Sequence, residues 1–504
     1  MIGRDGLQGT FGVDFKQPPL FDVVTDEAMP YSFMSYPADV LFPAEIAPQP
    51  EYTRTHSVLK LPSALVNNEQ IALFSFFAGA GFLDLGFEHD GFKIAYVNEV
   101  HPPFLDAYHY ARENLTFTPP EYGHYAGSIA DFVDGDKNRE LGELVQDVRR
   151  NASIVGFLGG PPCPDFSVGG KNRGKDGSNG KLSAIYVELI CKQKPDFYLF
   201  ENVKGLWSTK RHRAFFEDIK RKTQLAGYIT TERLVNAIEC GAPQDRDRVI
   251  LLGFRRELLS DLGFNLSKNI SELPMGVFPW ESFIQHPKEQ IFAYAWPSTQ
   301  PFAEDSQLSC VSGVDEELTV EHWFKKNDVL NHPNAEHYFK PRAGITRFAS
   351  VAEGDDSKKS FKRLHRWRYS PTACYGNNEV HLHPYKIRRI SVAEAMAIQS
   401  LPKDFVLPPS MTLTNMFKTV GNGVPFIMAN TLAKTISSFL RRNHDDRDKV
   451  IREINRPQFQ PLKARYFPYS SVEELYALCQ RRKLRGITEE FLDAYMEIPP
   501  GQTG

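Results

Sequence analysis

An open, doubly wound α/β domain interrupted by a loop-rich insertion is the architecture this sequence predicts. Three observations predict it. Short apolar runs recur between residues 70 and 255, alternating with stretches of helical spacing. The first run ends in a glycine turn and the second ends in an acid. The pattern then degrades over about 256–386, where Pro, Asn, Asp, Gly and aromatic residues rise, and resumes near 387.

Taken in order, residues 1–69 show no clear period and are expected to be an N-terminal extension. Ile71 to Phe77 is a compact apolar run that predicts a buried strand. Phe82 to His89 resumes helical spacing, and Lys93 to Glu99 predicts a second strand. Further strands are expected at Ser153–Leu158, Phe197–Phe200 and Arg248–Gly253, with helices at Leu182–Gln193 and Arg213–Leu225 between them. Ser391 with Glu394 three residues on has capping-box spacing, so a helix is expected to start there. Another is expected after Gly421-Asn-Gly-Val-Pro425, running to about Leu440. The units are then 1–69, 70–255, 256–386, 387–445 and 446–504, the fourth returning to the body begun by the second.

Composition narrows the function. The 504 residues are 41 % hydrophobic and 24 % charged, ordinary for a globular protein. A formal charge of -3 means that any nucleic-acid surface must be local. Six cysteines at 163, 191, 240, 310, 374 and 479 form no C-x-x-C pair, so zinc ribbons and thioredoxin motifs are excluded and reduced, intracellular thiols expected. No apolar leader opens the chain, and the Ile71–Leu83 stretch is too short to cross a bilayer, which takes ~20 residues. A soluble protein without membrane or metal partners is expected.

Two loops carry candidate chemistry. Phe77-Ala-Gly-Ala-Gly81 lies between a strand and a helix, where glycines let backbone approach a ligand. Glu99, twenty positions after Gly79, is placed to accept from ribose hydroxyls. A dinucleotide fingerprint would need glycine at position 84, and Asp84 disfavours NAD. A tight turn with no ligand is the plain alternative. Gly159-Gly-Pro-Pro-Cys163-Pro-Asp-Phe-Ser167 follows a strand and holds a cysteine between prolines. Cys163 there is a nucleophile candidate, although a lone cysteine is more often a small buried hydrophobe. The basic, glycine-rich stretch through Lys171 and Arg173 is suited to closing over an anionic substrate, or is a plain surface loop.

In order along the chain stand Phe77-Ala-Gly-Ala-Gly81, Pro162-Cys163, Glu201-Asn-Val203, Gln244-Asp-Arg246-Asp-Arg248 and Gly421-Asn-Gly-Val-Pro425. This series resembles the DNA (cytosine-5) methyltransferase family over about 71–255 and 386–440. The resemblance implies a Rossmann-like S-adenosylmethionine-dependent methyltransferase domain with an inserted, smaller target-recognition domain at 256–386. It implies that Cys163 adds to carbon 6 of cytosine, that Glu201 bonds ring nitrogen 3 and the exocyclic amine, and that Arg248 contacts the carbonyl oxygen. Arg246 would support the loop or a phosphate beside them. For S-adenosyl-L-methionine it implies Phe77, Gly79, Gly81, Glu99, Ser128, Ile129, Asn422 and Val424. Double-stranded DNA would be the partner, with the cytosine flipped out of the helix at a cost of a few kcal/mol. The expected DNA contacts are Ser167, Lys171, Arg173 and Gln244, with Lys362, Arg363, Arg366 and Arg368. The last four lie in Lys358–Tyr369, which has six Lys/Arg and no acid. A solvated charged face is the alternative there. A cytoplasmic monomer of bacterial restriction–modification type is expected, with an RNA-directed member of the family as the nearest rival and a binding-only relative disfavoured by Cys163 and Glu201.

Four departures stand out from the family pattern: Phe82 for a glycine, Ser128 for an acid, Pro164 for glutamine and Cys240 for an aromatic residue. None of them is a reacting group.

Overall fold

The structure is a computed structural model that describes residues 70–162, 178–264, 266–340, 345–358, 361–373, 375 and 380–441. Cys163, Ser167, Lys171, Arg173, the 1–69 extension and the 446–504 extension lie outside the described residues.

Seven strands form one sheet: β1 (Ile71–Phe76), β2 (Lys93–Asn98), β3 (His124–Tyr125), β4 (Ile154–Gly159), β5 (Phe197–Val203), β6 (Tyr228–Asn236) and β7 (Asp247–Arg255). Their order is β3-β2-β1-β4-β5-β7-β6, and only β7 runs against the rest. Parallel strands need crossovers, which helices provide. These are α1 (Phe82–His89), α2 (Pro102–Asn114), α3 (Gly135–Asn151), α4 (Ser178–Gln193), the short α5 (Lys204–Ser208) and α6 (Lys210–Leu225).

Both faces of the sheet are covered, so its central strands are apolar on both sides. The strict period of two sorts them. Ile71, Leu73, Ile154, Leu158, Ile250 and Leu252 belong to the core shared with α13 (Phe426–Leu440). Ala72, Phe74, Phe76, Val155, Phe157 and Leu251 belong to the core shared with α3, α4 and α6. The strand order turns back at β1 and β4, and the carboxyl ends at such a point are where open α/β sheets place their sites.

The sequence pattern misses β6. Its middle, Thr231-Glu-Arg-Leu234, is only half-buried because β6 is the sheet's edge strand, so its apolar alternation is diluted. The expected boundary at 255 also moves. Helix α7 (Arg256–Asp261) follows β7 directly, and Leu258, Leu259, Phe264, Leu273 and Phe278 join the sheet core beside Phe439. Residues 256–280 therefore belong to the body of the sheet.

The remainder of the insertion carries α8 (Lys288–Ala293), α9 (Val320–Lys326), α10 (Ile345–Ala349) and a two-stranded ladder of β8 (Lys362–Arg363) with β9 (His381–Leu382). It is not detached. Val320, Trp323, Phe324 and Leu364 share one apolar cluster with Phe82 and Leu85 of α1 and with α11 (Val392–Ile398) and α12 (Leu413–Asn422). Helix α11 starts as expected: Ser391 Oγ accepts from the Glu394 amide at 3.2 Å, and Glu394 Oε2 accepts from the Ser391 amide at 2.8 Å.

Candidate active site

The site collects at the carboxyl ends of β1, β2, β4 and β5. Strands β4 and β5 pair in parallel, with Gly159 beside Phe200, so the chain leaving β4 toward Cys163 runs beside Glu201. A Cβ on Gly160 would stand 2.9 Å from Glu201 Oε2, so the glycine leaves room for the carboxylate beside the chain leaving β4. Asn202 Nδ2 reaches the Pro161 carbonyl at 3.4 Å and ties the two strand ends together.

The reversed strand β7 brings Arg248 to the same end. Arg248 pairs in register with Val203, and its Nε lies 2.8 Å from Glu201 Oε1. The two side chains are only 10 % and 11 % exposed, so the pair is largely shielded from solvent. Burial pushes the Glu201 carboxyl above the ordinary glutamate range. Arg248 and then Arg246 oppose this and do not overcome it.

Arg246 takes only one of the two roles expected of it. It is 1 % exposed, and its guanidinium donates to the carbonyls of Ala373, Gly421 and Gly423 at 2.9, 2.9 and 3.0 Å. It is a bolt joining β7's approach to the end of α12, with no face left for a phosphate or a base. Of its two expected roles, loop support fits and membership of the reacting group does not. Gln244 is corrected in the same way. It is fully buried, accepts from the Ala373 amide at 3.0 Å and donates to Gln399 Oε1 at 3.1 Å, which removes it from a DNA surface.

After β1, three positions of the first turn have left-handed backbone: Phe77 at φ 57, Gly79 at φ 58 and Gly81 at φ 77. A Cβ on Gly79 would meet nothing nearer than Thr419 Oγ1 at 4.0 Å, so that side of the turn is open. Gly81 is a glycine for another reason: a Cβ there would strike Arg112 and Tyr108 at 2.3 and 2.5 Å. Glu99 spans the turn, accepting from the Gly79 amide through Oε2 and the His101 amide through Oε1, both at 2.8 Å. Burial raises its pKa against the amides of His101, Gly79 and Val100, and the carboxylate keeps acceptor capacity for a ribose hydroxyl.

Of the four departures from the family pattern, Pro164 lies outside the described residues, and the surroundings of the other three are defined. Phe82 replaces a glycine because its ring fills space over Gly423 and meets Phe405 edge-on at 5.2 Å. Ser128 caps a short 3-10 turn at Ile129–Phe132, its Oγ accepting from the Ala130 amide at 3.2 Å, so part of its polar capacity is already used. Ile129 is buried among Phe132 and the sheet's apolar face, whereas Asn422 ends α12 exposed and Val424 is buried behind it. Cys240 is a core residue whose thiol burial pushes up to about 12. Asn98 was missed from the sequence. Its Nδ2 donates to the carbonyls of Tyr125 and Gly127 at 3.1 and 2.8 Å and fixes the approach to Ser128. An amide ending an apolar strand one residue before Glu99 is the signal that could have found it.

The basic segment of the insertion is corrected most. Arg363 is 1 % exposed and donates to the carbonyls of Val351, Phe348, His383 and Lys386, and burial lowers its pKa to about 10. Arg366 is 3 % exposed and bonds both carboxylate oxygens of Glu353 at 2.8 Å. Trp367 is buried and donates to the Leu308 carbonyl at 2.7 Å. Neither arginine is available to a base or a phosphate. Lys362 and Arg368 are half-buried and keep partial access to solvent. Arg213, in the basic run Lys210-Arg-His-Arg213, lies over the Trp207 ring at 3.8 Å and pairs with Glu217 at 2.6 Å.

A sheet in this order, with a left-handed glycine turn after β1 and an acid after β2, defines the S-adenosylmethionine-dependent methyltransferase class. The family model for C-5 cytosine-specific DNA methylases matches residues 71–438, and the chain belongs to that family. Among its relatives is the type II methyltransferase M.NmeDI of Neisseria meningitidis serogroup C, 55 % identical over 378 residues, covering 75 % of this chain and 86 % of the relative. M.FnuDI of Fusobacterium nucleatum is 28 % identical over 394 residues (76 % and 97 %), and M.XorII of Xanthomonas oryzae pv. oryzae is 29 % identical over 388 (74 % and 86 %). A second model, the C-terminal domain of the type II restriction enzyme NmeDI, matches residues 429–498. The chain is a DNA (cytosine-5) methyltransferase of a type II restriction–modification system, with S-adenosyl-L-methionine as methyl donor. Among the described residues, no helix is long and apolar enough to cross a membrane.

Proposed function

We propose that the recess between Glu201, Arg248 and the chain leaving β4 takes a cytosine flipped out of double-stranded DNA. The supporting observation is the Glu201–Arg248 pair: a carboxyl held above its usual range by burial, 2.8 Å from a guanidinium, at a strand end. A carboxyl in that state can share a proton with ring nitrogen 3 and accept from the exocyclic amine, while Arg248 donates to the carbonyl oxygen. Cys163 adds through its thiolate to carbon 6, forming a carbon–sulfur bond and making carbon 5 nucleophilic. S-adenosyl-L-methionine, when bound, would supply an electrophilic methyl group to carbon 5, its sulfonium sulfur leaving as S-adenosylhomocysteine. Loss of the carbon 5 proton to solvent then expels the thiolate and restores the ring. Phe77, Gly79 and Glu99 hold the donor, with the open side of Gly79 against it and Glu99 on its ribose. Ser128, Ile129, Asn422 and Val424 complete its pocket.

The target-recognition segment is taken as about 287–386, after the stretch that packs on the sheet, with Lys362 and Arg368 as its phosphate contacts and Ser167, Lys171 and Arg173 as further contacts beyond Cys163 in the sequence. The protein acts as a cytoplasmic monomer. Transfer of tritiated methyl from the cofactor to duplex DNA, with tRNA as the contrasting substrate, tests this reading. Label in duplex DNA, lost in Cys163→Ser, is expected. Label in tRNA alone, or turnover that survives Cys163→Ser, would overturn it.

A further inference from the structure

The turn that meets the cofactor is held from beneath by a buried ionic group that the reaction does not use. Arg112, on α2, is 3 % exposed and sits directly under Gly81. Its Nη2 donates to the Gly81 carbonyl at 3.2 Å. The same guanidinium grips Glu88 of α1 with two bonds, Nη2 to Oε2 at 2.6 Å and Nε to Oε1 at 3.2 Å. Its plane lies 3.5 Å from the centre of the Tyr108 ring. Asp84, fully buried in the first turn of α1, accepts from Ser75 Oγ at 2.7 Å and so closes the turn from the β1 side. Asp84 also faces Tyr108, and the three side chains Asp84, Tyr108 and Arg112 are all buried together beneath the turn.

We propose that Arg112 is a positioning residue for cofactor binding, holding the left-handed turn Phe77–Gly81 open through the Gly81 carbonyl while Glu88 fixes its guanidinium. This rests on the reading that the turn holds S-adenosyl-L-methionine. Three residues of five in that turn have positive φ, two of them glycines, so its backbone has little intrinsic preference for one shape. A planar fork bonded on two sides restricts the carbonyl it holds in a way a single flexible ammonium does not. The ion pair is weak evidence for stability, because burying both charges costs about what their attraction returns. Its geometric effect falls on Gly81, whose neighbour Ala80 and partner Gly79 shape the open side of the turn.

The test compares Arg112→Met, Arg112→Lys, Glu88→Gln and Glu99→Ala in the full chain. Dissociation constants for S-adenosyl-L-methionine are measured by titration calorimetry, and kcat and both KM values by methyl transfer to DNA. Arg112→Met is expected to raise the cofactor Kd and KM at least tenfold. The KM for DNA and the kcat at saturating cofactor should stay within about threefold, the pattern of lost ground-state binding. Arg112→Lys and Glu88→Gln should fall between it and the parent. An unchanged cofactor Kd in folded Arg112→Met, or an equal fall in kcat with both KM values unmoved, would overturn the proposal. Should Arg112→Met not fold, Arg112→Lys and Glu88→Gln decide: cofactor Kd raised by either supports it, and unchanged in both overturns it. Glu99→Ala separates the two readings. A weakened cofactor there with an unchanged one in the Arg112 variants rejects only the positioning role, whereas unchanged binding in Glu99→Ala rejects the assignment of the turn itself.

Discussion

Two buried arginine–glutamate pairs, Arg248 with Glu201 at the end of the sheet and Arg366 with Glu353 in the insertion, have the same chemistry and opposite consequences. In both, burial drives the carboxyl upward. At Glu201 it prevails: among the described residues, Arg248 bonds a single carboxylate oxygen, and the charges of Arg248 and Arg246 do not offset burial. At Glu353, two side-chain bonds and the Arg366 amide at 3.0 Å outweigh burial, and the carboxyl is held below its usual range. A half-satisfied pair keeps a carboxyl able to exchange a proton with a bound base. A fully satisfied pair is locked ionised and works as a structural clasp.

Removing one acid from each pair gives the largest contrast. Glu201→Gln should lower kcat/KM for DNA ~10²–10⁴-fold, the usual range for a lost acid–base group, with no fall in denaturant midpoint. Glu353→Gln should do the reverse. It should leave kcat/KM per folded molecule near the parent value and destabilise by about 3 kcal/mol, because a buried guanidinium loses its counter-charge. Steady-state kinetics and urea denaturation on both variants check this, and loss of stability in Glu201→Gln equal to that in Glu353→Gln would erase the contrast.

The pH dependence of stability should differ in sign. Glu353 is lowered, so its contribution is present above its ordinary value of 4.5 and is lost as pH falls through its folded value. Glu201 is raised, so its contribution is complete below 4.5 and is lost as pH rises through its folded value. Denaturation profiles against pH should therefore lose part of their acid limb in Glu353→Gln and gain relative stability toward neutral pH in Glu201→Gln. Shifts of one sign in both variants would contradict the comparison.

A smaller effect concerns DNA. Because Arg363 and Arg366 are enclosed, Arg366→Met should alter melting temperature without changing the slope of log K against log salt, measured on the folded fraction. Lys362→Ala should reduce that slope by at most ~1, the signature of one phosphate contact. A reduced slope in Arg366→Met would return that arginine to the DNA surface.

These pairs also mark how far the sequence could be followed. β1, β2, β4, β5 and β7 were legible because their alternating apolar residues serve two covered faces. β6 was not, because an edge strand shares half its surface with solvent and its Thr-Thr-Glu-Arg centre has no apolar rhythm. Arg248 was legible as a pocket residue from its motif, while Arg246, two positions earlier, was read as its companion. Its partners, Gly421 and Gly423, are 175 and 177 residues away, and no local pattern announces them.

The sequence by itself determined the central strands, the glycine turn, the acid that spans it, the capping box at Ser391 and the order of the chemical motifs. These are short-range features, set by side-chain period and backbone freedom over a few residues. Only the tertiary structure decided which charges are working surface and which are internal fastening. Six basic residues without an acid among them looked solvent-facing, yet Glu353, outside that segment, encloses one of them and a ring of carbonyls encloses another. Whether an arginine meets water, a phosphate or a buried carbonyl depends on what the folded chain brings within 3 Å of it, and that neighbour comes from elsewhere in the sequence.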